Sequence, residues 1–104
     1  DFVVISCRGT FFFELKNTKS KTSFPFANIK KHQWSVLINL WRFNQNSYIV
    51  IQDGSYNVYI VPPLFLYNVY MRRKSVKFSV LQKFKFSKQK YLEQLVHSYN
   101  HSLL

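Results

Sequence analysis

Apolar and polar side chains alternate from Thr10 to Lys16, which sets Phe11, Phe13 and Leu15 on one face of a strand and Phe12, Glu14 and Lys16 on the other. A tight turn at Arg8-Gly9 folds Phe2–Ser6 back antiparallel onto this strand. The loop length decides what meets the Glu-x-Lys. A two-residue loop pairs Asp1 with Lys16 and a four-residue loop pairs it with Glu14, whereas a three-residue loop opposes Asp1 to Leu15 and turns it to the other face. Asn17 to Phe26, rich in Ser, Thr and Lys with one Pro, reads as a loop. From Asn28 as N-cap, the segment Ile29 to Phe43 repeats apolar residues at Ile29, Val36, Leu37, Leu40 and Trp41, as an amphipathic helix does. Gln33 interrupts that stripe and brings a primary amide to the side facing the sheet, where it needs a partner.

Ser47 to Gln52 is a compact β-rich run, Asp53-Gly54 a hairpin turn, and Tyr56 to Val61 an alternating strand. In its Asp-Gly setting Asp53 reads as a turn former, not a ligand. Pro63 suits the first turn of a helix reaching about Tyr70, and Arg72-Arg73-Lys74 then sits at its C-terminus, where the dipole favours cations. Val76 to Phe86 is basic and aromatic with partial alternation. Tyr91, Leu92, Leu95, Val96 and Tyr99 fall at helical spacing and predict a last helix with Glu93 exposed. The pattern as a whole predicts a single α/β domain of two opening strands, a long helix, two more strands and one or two later helices.

Charge narrows the partners. In 104 residues, 15 Lys and Arg stand against 4 Asp and Glu, a net +11 that attracts polyanions, nucleic acid first among them. AT-rich coding would also enrich Lys, Asn, Phe, Tyr and Ile, and a small basic structural protein would share the charge. The lone Cys7 rules out an internal disulfide and reads as a small apolar filler; no Cys/His spacing suggests zinc, and His32, His97 and His101 are not placed to activate a thiol. The apolar run from Tyr56 to Met71 is broken by Pro62-Pro63 and Asn68, short of the roughly 20 residues a membrane helix needs. With no leader pattern, a cytoplasmic setting is expected, and a chain opening on Asp reads as a fragment or processed product.

Candidate chemistry centres on Asp1, Glu14 and Lys16. Carboxylates on neighbouring strands suit a hard cation such as Mg²⁺, and an ammonium one pleat away can offset charge on a phosphoryl group. Alone, a Glu-x-Lys is more often a surface ion pair.

The run Phe13-Glu14-Leu15-Lys16-Asn17-Thr18-Lys19-Ser20-Lys21-Thr22-Ser23-Phe24-Pro25-Phe26, with Asn28-Ile29-Lys30-Lys31-His32-Gln33 after it, resembles the central motif of the RecU-type Holliday junction resolvases. That family carries an aspartate thirteen residues before the motif's glutamate and a glutamine nineteen after it, and Asp1 and Gln33 occupy those positions. Tyr59-Ile60-Val61-Pro62, Arg73-Lys74-Ser75-Val76 and Tyr91-Leu92 resemble its later strand, basic stretch and last helix more weakly. The resemblance implies an α/β, restriction-endonuclease-like PD-(D/E)xK core with a mixed β-sheet flanked by helices, homodimeric and Mg²⁺-dependent, that nicks four-way DNA junctions in recombination and repair. It implies recombinase and branch-migration proteins as further partners. It assigns metal-ligand roles to Asp1, Glu14 and Gln33 and transition-state stabilisation to Lys16. Lys19, Lys21, Lys30, Lys31, Arg73 and Lys74 are the candidate DNA contacts. The family's threonine ligand two positions before the aspartate, and its N-terminal part, are missing here, so the alternative is a catalytically inactive nucleic-acid-binding remnant of the same fold.

Overall fold

A computed structural model describes residues 2–6, 10–44 and 46–87. Strands β1 (Phe2–Ser6), β2 (Thr10–Asn17), β4 (Ser47–Gln52) and β5 (Val58–Val61) form a four-stranded sheet in the order β1-β2-β4-β5. The sheet is mixed, as the resemblance implies: β2 and β4 run parallel, joined through helix α1 (Lys31–Asn44), and the two outer pairs are antiparallel. Along β4, Ile49 and Ile51 turn inward, and the register aligns them with Glu14 and Lys16 of β2. α1 and α2 (Pro63–Tyr70) cover this inner face; Leu37, Leu66 and Val61 complete the core with no exposed surface. On the outer face Phe13 stacks between Phe11 and Tyr48 with centroid separations of 6.3 and 5.9 Å.

Three expectations are corrected. Within the segment read as a loop, Ser23–Pro25 forms a short strand, β3, paired antiparallel with β6 (Ser75–Lys77), so Phe24 and Val76 enter the core together. Three-residue strands so distant in sequence have no local period to betray them. Helix α1 starts at Lys31, with Lys30 accepting the first backbone bonds from Gln33 and Trp34, while Asn28 ends a 3-10 turn (Phe26–Asn28). The helix also presents a different stripe. Trp34 is 3% exposed and stacks on Tyr70 of α2 at 4.7 Å, whereas Val36 is 41% exposed. The cause is α2, which packs on the Trp34 side and widens the buried sector beyond the sheet-facing stripe. Finally, the Asp53-Gly54 turn is longer than a two-residue hairpin, since β5 begins at Val58 and exposed Tyr56 takes the left-handed conformation (φ 66°).

That turn is held by Asp53. Its Oδ1 accepts from the Ser55 and Asn57 amides at 2.8 and 3.0 Å, and its Oδ2 accepts from Asn57 Nδ2 at 3.1 Å and the Tyr59 hydroxyl at 3.0 Å. Asp53 is thus the turn former its context suggested. Gly54 lies against the β2–β3 loop, its amide donating to Ser20 O at 2.8 Å, and a Cβ at Gly54 would collide with the Lys19 backbone carbonyl. Gly54→Ala is expected to destabilise the fold by about 2 kcal/mol, since two backbone segments must part. Chemical denaturation would measure this, and an unchanged midpoint would show that the loop yields freely.

The last predicted helix, from Lys88 to Tyr99, lies outside the described residues, as do Asp1 and the Cys7-Arg8-Gly9 turn. Among the described residues no helix is long and apolar enough to cross a membrane.

Candidate active site

Three side chains from two elements meet on the inner face of the sheet. Period-two alternation brings Glu14 and Lys16 to the same side of β2, and Gln33 reaches them from the first turn of α1. Lys16 Nζ stands 3.4 Å from Glu14 Oε1 and donates to Gln33 Oε1 at 3.1 Å; Gln33 Nε2 donates to Glu14 Oε1 at 3.3 Å. The three groups therefore close a triangle of polar contacts. Glu14 is fully buried and the Lys16 side chain is 16% exposed, so the pair sits in a low-dielectric setting that water touches only from the lysine side.

Gln33 has a second task. Its Oε1 also accepts from the Lys30 backbone amide at 2.9 Å, as the third residue of a helix does in a capping box. One amide thereby ends the helix and ties its N-terminus to β2. This explains why a polar group interrupts the apolar stripe.

Of the residues the sequence assigns to the site, Glu14, Lys16 and Gln33 are brought together. Asp1 lies outside the described residues. The pairing of β1 with β2 sets Phe2 opposite Glu14 and Ser6 opposite Thr10, the register of three intervening residues, so Phe2 is the β1 residue across from the glutamate. Exposed Lys19 and Lys21 follow β2, and exposed Lys30 and Lys31 stand at the start of α1 beside Gln33. Arg73 and Lys74 are also exposed, after α2, where the Lys74 carbonyl accepts from the Phe26 amide.

A hollow of about 750 Å³ opens on the other face of the sheet, lined by Leu15, Asn17, Val50, Gln52 and Val58, with Lys16 and Asn28 at its border. The Asn28 side chain spans towards β2 and donates to Asn17 O at 3.5 Å. Alternation turns Asn17 away from Glu14 and Lys16, and the parallel pairing sets Gln52 beside it, so these amides border the hollow and not the Glu14–Lys16–Gln33 triangle.

The oxygen atoms at the centre are hard donors, a carboxylate and a primary amide, which suit Mg²⁺ over metals that prefer thiolate or imidazole. Among the described residues no group of three or more His, Cys, Asp and Glu is placed to hold an ion. Glu14 and Gln33 could supply two oxygens of an ion's shell, Gln33 Oε1 in exchange for its bonds from Lys16 and Lys30.

Comparison with curated proteins gives no match. A protein-family model described as Recombination protein U matches residues 1–101. The match covers nearly the whole chain, including both elements that build the Glu14–Lys16–Gln33 triangle, and the chain belongs to the RecU family of Holliday junction resolvases.

Proposed function

We propose that the chain is a Mg²⁺-dependent, structure-specific endodeoxyribonuclease with a PD-(D/E)xK core, acting on four-way DNA junctions as a homodimer in the cytoplasm and folding as one domain. The observation that carries this reading is the convergence of Glu14, Lys16 and Gln33 in a chain of net charge +11. Glu14 and Gln33 would hold the ion; the family spacing assigns Asp1 the same role, but the three-residue register is the one that turns that position to the other face, so Asp1 would join them only by leaving the β1–β2 ladder. Bound there, Mg²⁺ would lower the pKa of a coordinated water and neutralise phosphoryl charge.

The chain's own residues have distinct tasks. Buried Glu14 supplies the fixed negative charge, in a pocket where little water competes with its partner. Lys16, anchored to Glu14 and Gln33, presents a cation at a position set within hydrogen-bond reach, so no side-chain search is needed when charge develops on the phosphate. Gln33 keeps the helix N-terminus against β2 and so holds the spacing of the other two. Exposed Lys19, Lys21, Lys30, Lys31, Arg73 and Lys74 would take backbone phosphates. Selectivity for junctions would come from the spacing of two such sites in a dimer. Recombinase and branch-migration proteins are the partners this role implies.

One observation favours a second reading, a junction-binding remnant without cleavage: the β1–β2 register sets Phe2, not a carboxylate, across from Glu14. Nicking assays separate the two. The full chain with Mg²⁺ is expected to place paired nicks in synthetic four-way junctions and to leave linear duplex intact. Junction binding without nicks would support the remnant, and preference for structured RNA would contradict both. Gln33→Ala is expected to lower cleavage about 10- to 100-fold, the range for residues that orient a metal centre. An unchanged rate would remove Gln33 from the site.

A further inference from the structure

A second basic concavity, of about 680 Å³, lies between the Asp53–Asn57 turn, the loop at Lys21 and the segment from Ser75 to Lys85. Lys21, Lys77 and Lys85 line it, together with the hydroxyl-bearing Thr22, Ser55 and Ser79. Lys21 and Lys77 are exposed and Lys85 is half-buried. Three cations sharing one concave wall repel one another, and that repulsion is relieved when an anion enters.

The acids among the described residues do not supply that anion. Glu14 belongs to the Lys16 cluster. Asp53 borders the concavity and keeps its charge, but its oxygens are engaged by the Ser55 and Asn57 amides, the Asn57 side chain and the Tyr59 hydroxyl, so it offsets one of the three cations and leaves a positive surplus. Gln82, whose Nε2 donates to Tyr59 OH at 3.4 Å and Phe78 O at 3.0 Å, extends this network. Asp53 is thus held by its own turn, while the three lysines line the same concavity.

The concavity is physically linked to the catalytic strand. Past Lys16 the chain is pinned at Thr18, whose amide donates to Gln52 O, and at Ser20, whose carbonyl accepts from Gly54. Lys21 follows directly at the concavity's edge. A nucleic-acid strand that follows this loop from Lys16 would arrive at Lys21, which shares the concavity with Lys77 and Lys85.

We propose that Lys21, Lys77 and Lys85 form a phosphate clamp that holds the DNA backbone beyond the scissile phosphate. The clamp rests on the nuclease reading and adds Lys77 and Lys85, residues with no part in the catalytic cluster. Its test is the salt dependence of junction binding by the full chain, without divalent ions, for Lys77→Gln, Lys85→Gln and the double variant. Lys83→Gln removes the same charge from a lysine whose Nζ lies 4.7 and 5.1 Å over the rings of Phe65 and Phe84, and serves as control. Each phosphate contact contributes about 0.9 to the slope of log K against log salt, so each clamp variant should flatten it by about 0.9 and the double variant by about 1.8. Lys83→Gln should leave it unchanged. Equal slopes for clamp and control variants would overturn the clamp alone; failure of the unaltered chain to bind junctions would overturn the nuclease reading and the clamp with it.

Discussion

Glu14→Gln is expected to lower Mg²⁺-dependent junction cleavage by more than about 100-fold while strengthening junction binding in the absence of divalent ions. The substitution is nearly isosteric, and Lys16 keeps its bond to Gln33 Oε1 at 3.1 Å, so the local packing survives. What disappears is the buried negative charge. An ion loses its anionic ligand, and cleavage falls. The DNA phosphates lose a repelling charge beside Lys16, and binding rises. Cleavage and affinity thus move in opposite directions, which a misfolded variant would not do. Filter binding and single-turnover nicking on the same preparation check both signs, and a parallel loss of binding and cleavage would point to unfolding instead.

The largest expected effect on stability lies at Asp53. Burial by itself would raise its pKa, but the hydrogen bonds from the Asn57 side chain, the Ser55 and Asn57 amides and Tyr59 outweigh it and hold the carboxyl below its ordinary value. Burial, and then the bond to Asp53, push the Tyr59 hydroxyl up, so it stays a donor. Asp53→Ala removes four charge-assisted acceptor contacts and leaves a buried tyrosine hydroxyl short of its partner, a loss of about 3 kcal/mol. The pH dependence has a definite sign. With the folded pKa depressed, Asp53's contribution is complete above the unfolded-state pKa and is lost as pH falls through the folded one. Urea midpoints should therefore drop in acid for the unaltered protein and show less of that drop for Asp53→Ala. Equal acid sensitivity in both proteins would assign it to other groups.

Much of this was legible along the chain. Strict alternation alone puts Glu14 and Lys16 on one face, and a lone amide in an apolar stripe marks Gln33, because strand and helix periods convert directly into direction. The Asp-Gly context likewise gave Asp53 its structural role. Other features depend on what the sequence leaves open. The β1–β2 register depends on a single residue of loop length, and each of the three lengths weighed is chemically reasonable, so only the Phe2–Glu14 pairing decides among them. The β3–β6 pair and the burial of Trp34 arise from contacts between distant segments, and neither leaves a local period. Lys77 and Lys85 stand apart in sequence from Lys21 and meet it only around the Asp53 turn.

The claim on which the functional account depends is that Glu14 and Gln33 hold a divalent ion beside Lys16. Titration of Mn²⁺, an Mg²⁺ surrogate, followed by electron paramagnetic resonance in the presence of junction DNA, tests it directly. The account predicts one bound ion per chain, with affinity at least about tenfold lower in both Glu14→Gln and Gln33→Ala. Mn²⁺ binding of equal strength in the unaltered protein and both variants would contradict it.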